Sequence, residues 1–181
     1  MNRKLPEVLD STHLFDAFFS VRKDRLLYPN QNVADYFVVS TTKESVAIIA
    51  TTKDNRILVT EEYRHPVKSI LLGCPGGLVE ESETVLAAAK RELLEETGCT
   101  ADCFELLGSC CPLPGILAQK MAIVHARNVH VAKEPTPDAN ELIQCHFLPI
   151  DTLKEQILNK DAVDGVLCSA FLYYLLSRQD K

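Results

Sequence analysis

What most restricts the fold of this chain is the stretch from Gly77 to Cys99, GLVEESETVLAAAKRELLEETGC, a glycine turn that runs straight into an acidic segment. No Gly or Pro falls between Thr84 and Thr97 and Ala and Leu abound, which predicts a helix. Gly98 then stands where a left-handed residue ends helices. Val85, Leu86, Ala89, Leu93 and Leu94 recur at the spacing of a buried stripe. Glu92, Glu95 and Glu96 stand at i, i+3 and i+4, so three carboxylates project from one side. Like charges at i and i+4 oppose a helix by about 0.2–0.5 kcal/mol a pair, and Glu92 and Glu96 gain nothing from each other unless a cation lies between them. A hard divalent ion such as magnesium favours carboxylate and carbonyl oxygens and often binds through one or two carboxylates plus substrate phosphates. Arg91, four residues before Glu95 and eight after Glu83, is placed to brace either carboxylate. The plainer reading of such a run is a solvated helix face.

The fixed spacing argues against that plain reading. Gly77, five residues, Glu83, seven residues, Arg91-Glu92-Leu93, one residue, Glu95-Glu96, one residue and Gly98 resembles the Nudix box at every fixed position, with Cys99 in the final apolar place. Resemblance to Nudix hydrolases implies an α/β (α+β) fold, a mixed sheet sandwiched between helices. It also implies metal-dependent cleavage of a nucleoside diphosphate linked to another group. On that likeness Glu92, Glu96 and Glu95 are expected metal ligands, with magnesium the expected ion and manganese the alternative. Glu95 and Arg91 join the catalytic set, Arg91 as a brace.

Further likenesses lie on both sides of the box. Glu62-Tyr63-Arg64-His65-Pro66-Val67 is similar to a Tyr-Arg element of the ADP-ribose pyrophosphatase branch, which makes Arg64 a candidate for substrate phosphates or a terminal sugar. A guanidinium offers paired donors to such oxygens. His65, with no neighbouring ligand at metal spacing, is read as structural. Cys74-Pro75-Gly76-Gly77 resembles that branch's Pro-Ala-Gly turn, implying that the Gly76 carbonyl binds metal. Pro114-Gly115 matches a downstream Ser-Pro-Gly loop and is expected to contact substrate. Gly73 and Gln119 stand where the branch usually has glutamates, and Leu113 also departs from its pattern. Glu141, in Asn140-Glu141-Leu142-Ile143, is the matching place for the acid that deprotonates the attacking water, with Glu134 and Asp138 weaker candidates.

The remaining chain sets the frame. At 181 residues, 46% hydrophobic and 24% charged, it suits one globular domain with a small appendage. Residues 14–20, 24–28 and 33–40 read as three short strands, with Arg22-Lys23 and the run from Pro29 to Asn32 as turns. This prelude, residues 1–42, resembles the amino-terminal β subdomain that ADP-ribose pyrophosphatases use for dimerisation, and 43–181 is the expected Nudix hydrolase domain. Strands are expected at 45–52, 57–63, 104–110, 120–131 and 141–148. A short helix should follow Pro149 and Asp151, and a second, capped by Asp164, should run to Arg178 with Phe171, Tyr174 and Leu175 in the core.

A net charge of −6 argues against a broad nucleic-acid surface. No apolar run reaches the length of a membrane span and the first residues lack a signal-peptide core, so a cytoplasmic location is expected. Seven cysteines without a spaced Cys-x-x-Cys pair read as reduced thiols rather than a zinc site of Cys99, Cys103, Cys110 and Cys111. ADP-ribose or a related nucleoside diphosphate sugar is the expected small-molecule substrate, and a homodimer the expected assembly. A GDP-mannose-type hydrolase and a non-catalytic sensing module are the alternatives. A decapping or RNA pyrophosphohydrolase fits the acidic balance poorly.

Overall fold

The computed structural model describes residues 4–41, 43–137, 141–159 and 162–178. By internal contacts the chain divides into two units, the residues up to 43 with 111–120, and 44–110 with the residues from 121 onward. The segment 111–120, expected with the larger domain, thus groups with the amino-terminal strands.

In the smaller unit β1 (Glu7–Asp16), β2 (Ser20–Leu27) and β3 (Val33–Ser40) form an antiparallel meander, and Leu117–Ala118 (β10) runs parallel to β3. The first strand begins at Glu7 rather than near 14, and Arg22 and Lys23 lie inside β2 instead of in a turn. Cross-strand pairing explains the shift. Thr12 faces Lys23 and His13 faces Arg22, and the buried Asp24 accepts from the Ser11 hydroxyl at 2.5 Å and from Arg22 Nε at 3.0 Å. Polar residues that look like a turn are satisfied across the ladder.

The larger unit is built on β4 (Ser45–Thr51), β5 (Arg56–Arg64), β6 (Ser69–Gly73), β7 (Gly76–Leu78), β9 (Cys103–Cys110), β11 (Met121–Arg127) and β13 (Ile143–Pro149). Their order is β13-β5-β4-β11-β9, with β6 beside β5 and β7 beside β4. β4 and β11 are parallel and the other pairs antiparallel, so the sheet is mixed. The central pair reads VAIIA and MAIV, uninterrupted apolar runs suited to strands covered on both faces. Alternate residues then face opposite ways. Val46, Ile48 and Ala50 pack with Ala88, Ala89 and Leu93 of helix α1 (Val85–Thr97), whereas Ala47 and Ile49 pack with Leu153 of α2 (Ile150–Asn159) and Leu167, Ala170, Phe171 and Tyr174 of α3 (Gly165–Ser177). Each large side chain so buried contributes about 1.5–3 kcal/mol. The sheet is therefore sandwiched between helices. Among the described residues no helix is long and apolar enough to cross a membrane.

Helix α1 has the expected limits. The Thr84 hydroxyl caps it by accepting from the Ala87 amide at 3.2 Å, and Gly98 ends it at φ 67°. A Cβ on Gly98 would lie 2.1 Å from the Lys133 carbonyl oxygen. That close approach exists because the amides of Ala132 and Lys133 both donate to the Gly98 carbonyl. The buried face differs from the predicted stripe: Val85 and Leu86 are half-buried, while Glu96 and Thr97 are buried. The single strand expected at 120–131 breaks at Asn128, which has φ 57°, and His130–Val131 (β12) leaves the sheet to pair with Cys99–Thr100 (β8). Asp164 caps α3 through its side chain, as expected, and Phe171 and Tyr174 are core residues.

Candidate active site

The site grows from the turn between β7 and α1. β7 is clamped to β4, with Gly76 opposite Ala47 and Gly77 opposite Val46, and the Ile48 amide donates to the Pro75 carbonyl at 2.8 Å. This brings the glycines under the flank of α1 that carries Glu92 and Glu96. The Gly76 amide donates to Glu96 Oε2 at 3.0 Å. A Cβ on Gly77 would sit 2.3 Å from Glu92 Oε1, so the Glu92 carboxylate fills the space a side chain would take. Glycine is needed here for close approach.

Arg91 fixes these carboxylates. Its Nε and Nη2 donate to the two oxygens of Glu83 at 3.1 and 3.0 Å, Nη1 to Glu92 and Glu95 at 2.8 and 3.1 Å, and Nη2 also to the Leu78 carbonyl at 2.9 Å. A guanidinium has five N–H donors, and here five acceptors surround it. Arg91 is a brace tying the helix to the turn, and these partners raise its pKa, Glu83 most.

Two of the braced or adjacent carboxylates are hidden from water. Glu96 is only 8% exposed, and burial first, then the charges of Glu92, Glu141 and Glu62, push its pKa to about 8 despite the Gly76 amide. Burial also raises Glu92, with the charges of Glu95 and Glu141 adding and Arg91 opposing. Glu95 is the more exposed of the three. Glu141, in the segment before β13, lies close enough to act on Glu62, Glu92 and Glu96. Asp138 and Asn140 lie outside the described residues, and Glu134 is exposed.

Arg64, at the end of β5, donates through Nη1 to Glu62 Oε1 at 2.6 Å, and its Nη2 stands 3.7 Å from Asp164 Oδ2. Glu62 is raised by burial, with Arg64 opposing and Glu141 and Asp164 adding. The larger unit thus gathers Gly76, Arg91, Glu92, Glu95, Glu96, Glu141 and Arg64. Pro114 and Gly115 belong to the smaller unit, where the Gly115 carbonyl accepts from the Tyr36 hydroxyl at 2.7 Å. Two carboxylates were missed from sequence. Glu62 stands within the Tyr-Arg element and was open to notice; Asp164 carries no signal beyond its capping role.

The donor set fits a hard divalent cation. Glu92 and Glu96 are acceptor-rich, desolvated and mutually repelling, and a cation would offset that repulsion. Among the described residues no group of three or more His, Cys, Asp or Glu side chains is spaced to hold a metal ion by itself. Magnesium requires none, since waters and substrate phosphates complete its shell.

A mixed sheet between helices carries a glycine-rich strand and a braced row of helix carboxylates. A NUDIX domain matches residues 41–167, and the chain belongs to the Nudix family; it is a Nudix hydrolase. It is 29% identical over 133 residues to the methanol dehydrogenase activator of Bacillus methanolicus, covering 73% of this chain and 72% of that one. It is 24% identical over the same shares to the ADP-ribose pyrophosphatase of Bacillus subtilis. To the ADP compounds hydrolase NudE of Escherichia coli it is 36% identical over 90 residues, 50% of this chain and 48% of that one. The crystal structure of an ADP compounds hydrolase superposes with a TM-score of 0.88 over 99% of this chain and 97% of that chain, and at 24% identity it shows the fold.

Proposed function

We propose that this Nudix hydrolase cleaves the diphosphate bond of ADP-ribose or a related nucleoside diphosphate sugar, giving a nucleoside monophosphate and a sugar phosphate. The observation that carries this reading is the buried Glu96 and half-buried Glu92 set against Gly76 and Gly77 of β7, an arrangement that disfavours its own ionisation until a cation arrives. Relatives named as ADP-ribose pyrophosphatase and ADP compounds hydrolase support an ADP-linked substrate. Glu92, Glu96, Glu95 and the Gly76 carbonyl would hold magnesium, or manganese in its place. When bound, such an ion neutralises charge on the diphosphate and lowers the pKa of coordinated water.

The chain's own groups do the rest. Arg64 receives phosphate oxygens. Glu141 accepts the proton of the attacking water. The water oxygen bonds to one phosphorus, the bridging P–O bond breaks, and the other phosphate leaves. Arg91 keeps Glu92 and Glu95 in place throughout. The exposed apolar residues of the smaller unit support a homodimer, and the abundance of free cysteines suits a reducing cytoplasm.

The test is product release from ADP-ribose, ADP-glucose, GDP-mannose and NADH with magnesium or manganese. Preferred turnover of ADP-ribose is expected. Preference for GDP-mannose would move the assignment to that class of sugar nucleotide, and tight ADP-ribose binding without turnover would make the protein a sensor.

A further inference from the structure

We infer that Asp164 is a positioning residue for Arg64, so that the cap of α3 sets the aim of the substrate-binding guanidinium; this rests on the role proposed for Arg64. Asp164 reaches that corner by backbone design. The Leu72 amide donates to the Ala162 carbonyl at 3.0 Å and the Asp164 amide to the Leu72 carbonyl at 2.9 Å, making a parallel bridge along the free edge of β6. β6 in turn pairs with β5, placing Gly73 opposite Thr60 and Ser69 opposite Arg64.

The two carboxylate oxygens of Asp164 do different things. Oδ1 accepts from the Val166 amide at 2.8 Å and caps the helix, while Oδ2 faces Arg64 Nη2 at 3.7 Å. Glu62 holds the other amino group at 2.6 Å. Both carboxylates are mostly covered, with side chains 16% and 20% exposed against 46% for Arg64. Arg64 is therefore gripped on one side and open on the other. Unlike Arg91, it keeps N–H donors for a ligand. A guanidinium whose orientation is fixed before binding loses less freedom on binding.

Asp164→Asn isolates the effect, because asparagine caps a helix as well as aspartate does but carries no charge. With ADP-ribose and magnesium, the variant should show KM raised about five- to twentyfold, a much smaller change in kcat, and an unchanged melting temperature. Arg64→Ala should raise KM further, and adding Asp164→Asn to it should add nothing. In metal-free protein without substrate, the Arg64 Nε–Hε resonance should be restrained in the wild type and mobile in Asp164→Asn. Unchanged Arg64 mobility, or a KM increase that persists in the Arg64→Ala background, would overturn the inference. Absence of turnover in the wild type would count against the proposed activity alone, since the resonance reads the positioning without catalysis.

Discussion

Glu96 concentrates the chemistry and the strain of this molecule in one residue. It is buried, it faces Glu92, Glu141 and Glu62, and it accepts from the Gly76 amide. Replacing it with glutamine should cut kcat by at least about 10²-fold, the scale lost when preorganised electrostatic groups are removed. Steady-state assays check this. The same residue predicts the pH dependence of the metal-free fold. Its folded pKa of about 8 lies above the ordinary 4.5, so on raising the pH the unfolded state loses this proton first. Stability from this group is greatest below 4.5 and falls as the pH climbs through about 8, with a ceiling of ~1.4 kcal/mol per pH unit. Melting curves at pH 6 and pH 8 should show the drop, Glu96→Gln should flatten it, and magnesium should reverse it. The cysteines divide in a similar way. Burial pushes the Cys74 thiol up to about 12 and Cys145 to about 11, whereas Cys103 and Cys111 are exposed. A thiol reagent at pH 8 should label Cys103 and Cys111 in the native protein much faster than the half-buried Cys74, whose raised pKa keeps it a thiol, and equal native rates would contradict this.

Among the elements, α1 stands or falls with its ends. Gly98→Ala forces a side chain to φ 67° and drives its Cβ toward the Lys133 carbonyl, so it should cost more than about 1 kcal/mol, whereas Thr84→Ala should cost about 1 kcal/mol through the lost cap. Urea titrations check both. This helix was legible in the sequence because its signals are local: a capping threonine, an unbroken run of helix formers and a terminal glycine. The central strands were legible for the same reason, as continuous apolar runs. The start of β1 was hidden because its polar residues pair with β2, far from them in the sequence pattern. The end of β11 was hidden because one left-handed asparagine inside an extended pattern redirects the chain. In the site, the spacing of Glu92, Glu95, Glu96 and Arg91 was readable from the helix period. The inward turn of Glu96 was not, since it depends on Gly76 across the turn, and the pairing of Asp164 with Arg64 joins positions far apart in sequence.

At the scale of the whole molecule, the smaller unit carries more apolar surface than it covers by itself. β1 is exposed along its whole length, and Val8, Leu14, Phe15, Phe18 and Phe37 are large and open. A homodimer built on these strands predicts a solution mass near twice 20.2 kDa. Light scattering coupled to size exclusion should find that mass, with Phe15→Asp and Phe37→Asp shifting it toward the monomer; a monomeric wild type would refute the dimer. The measurement to make first is the release of AMP and ribose phosphate from ADP-ribose by wild type and Glu96→Gln, each with and without magnesium. Turnover that needs magnesium and collapses in the variant is the predicted result. Undiminished hydrolysis by Glu96→Gln, or by protein stripped of divalent ions, would contradict a mechanism built on the Glu92 and Glu96 pair.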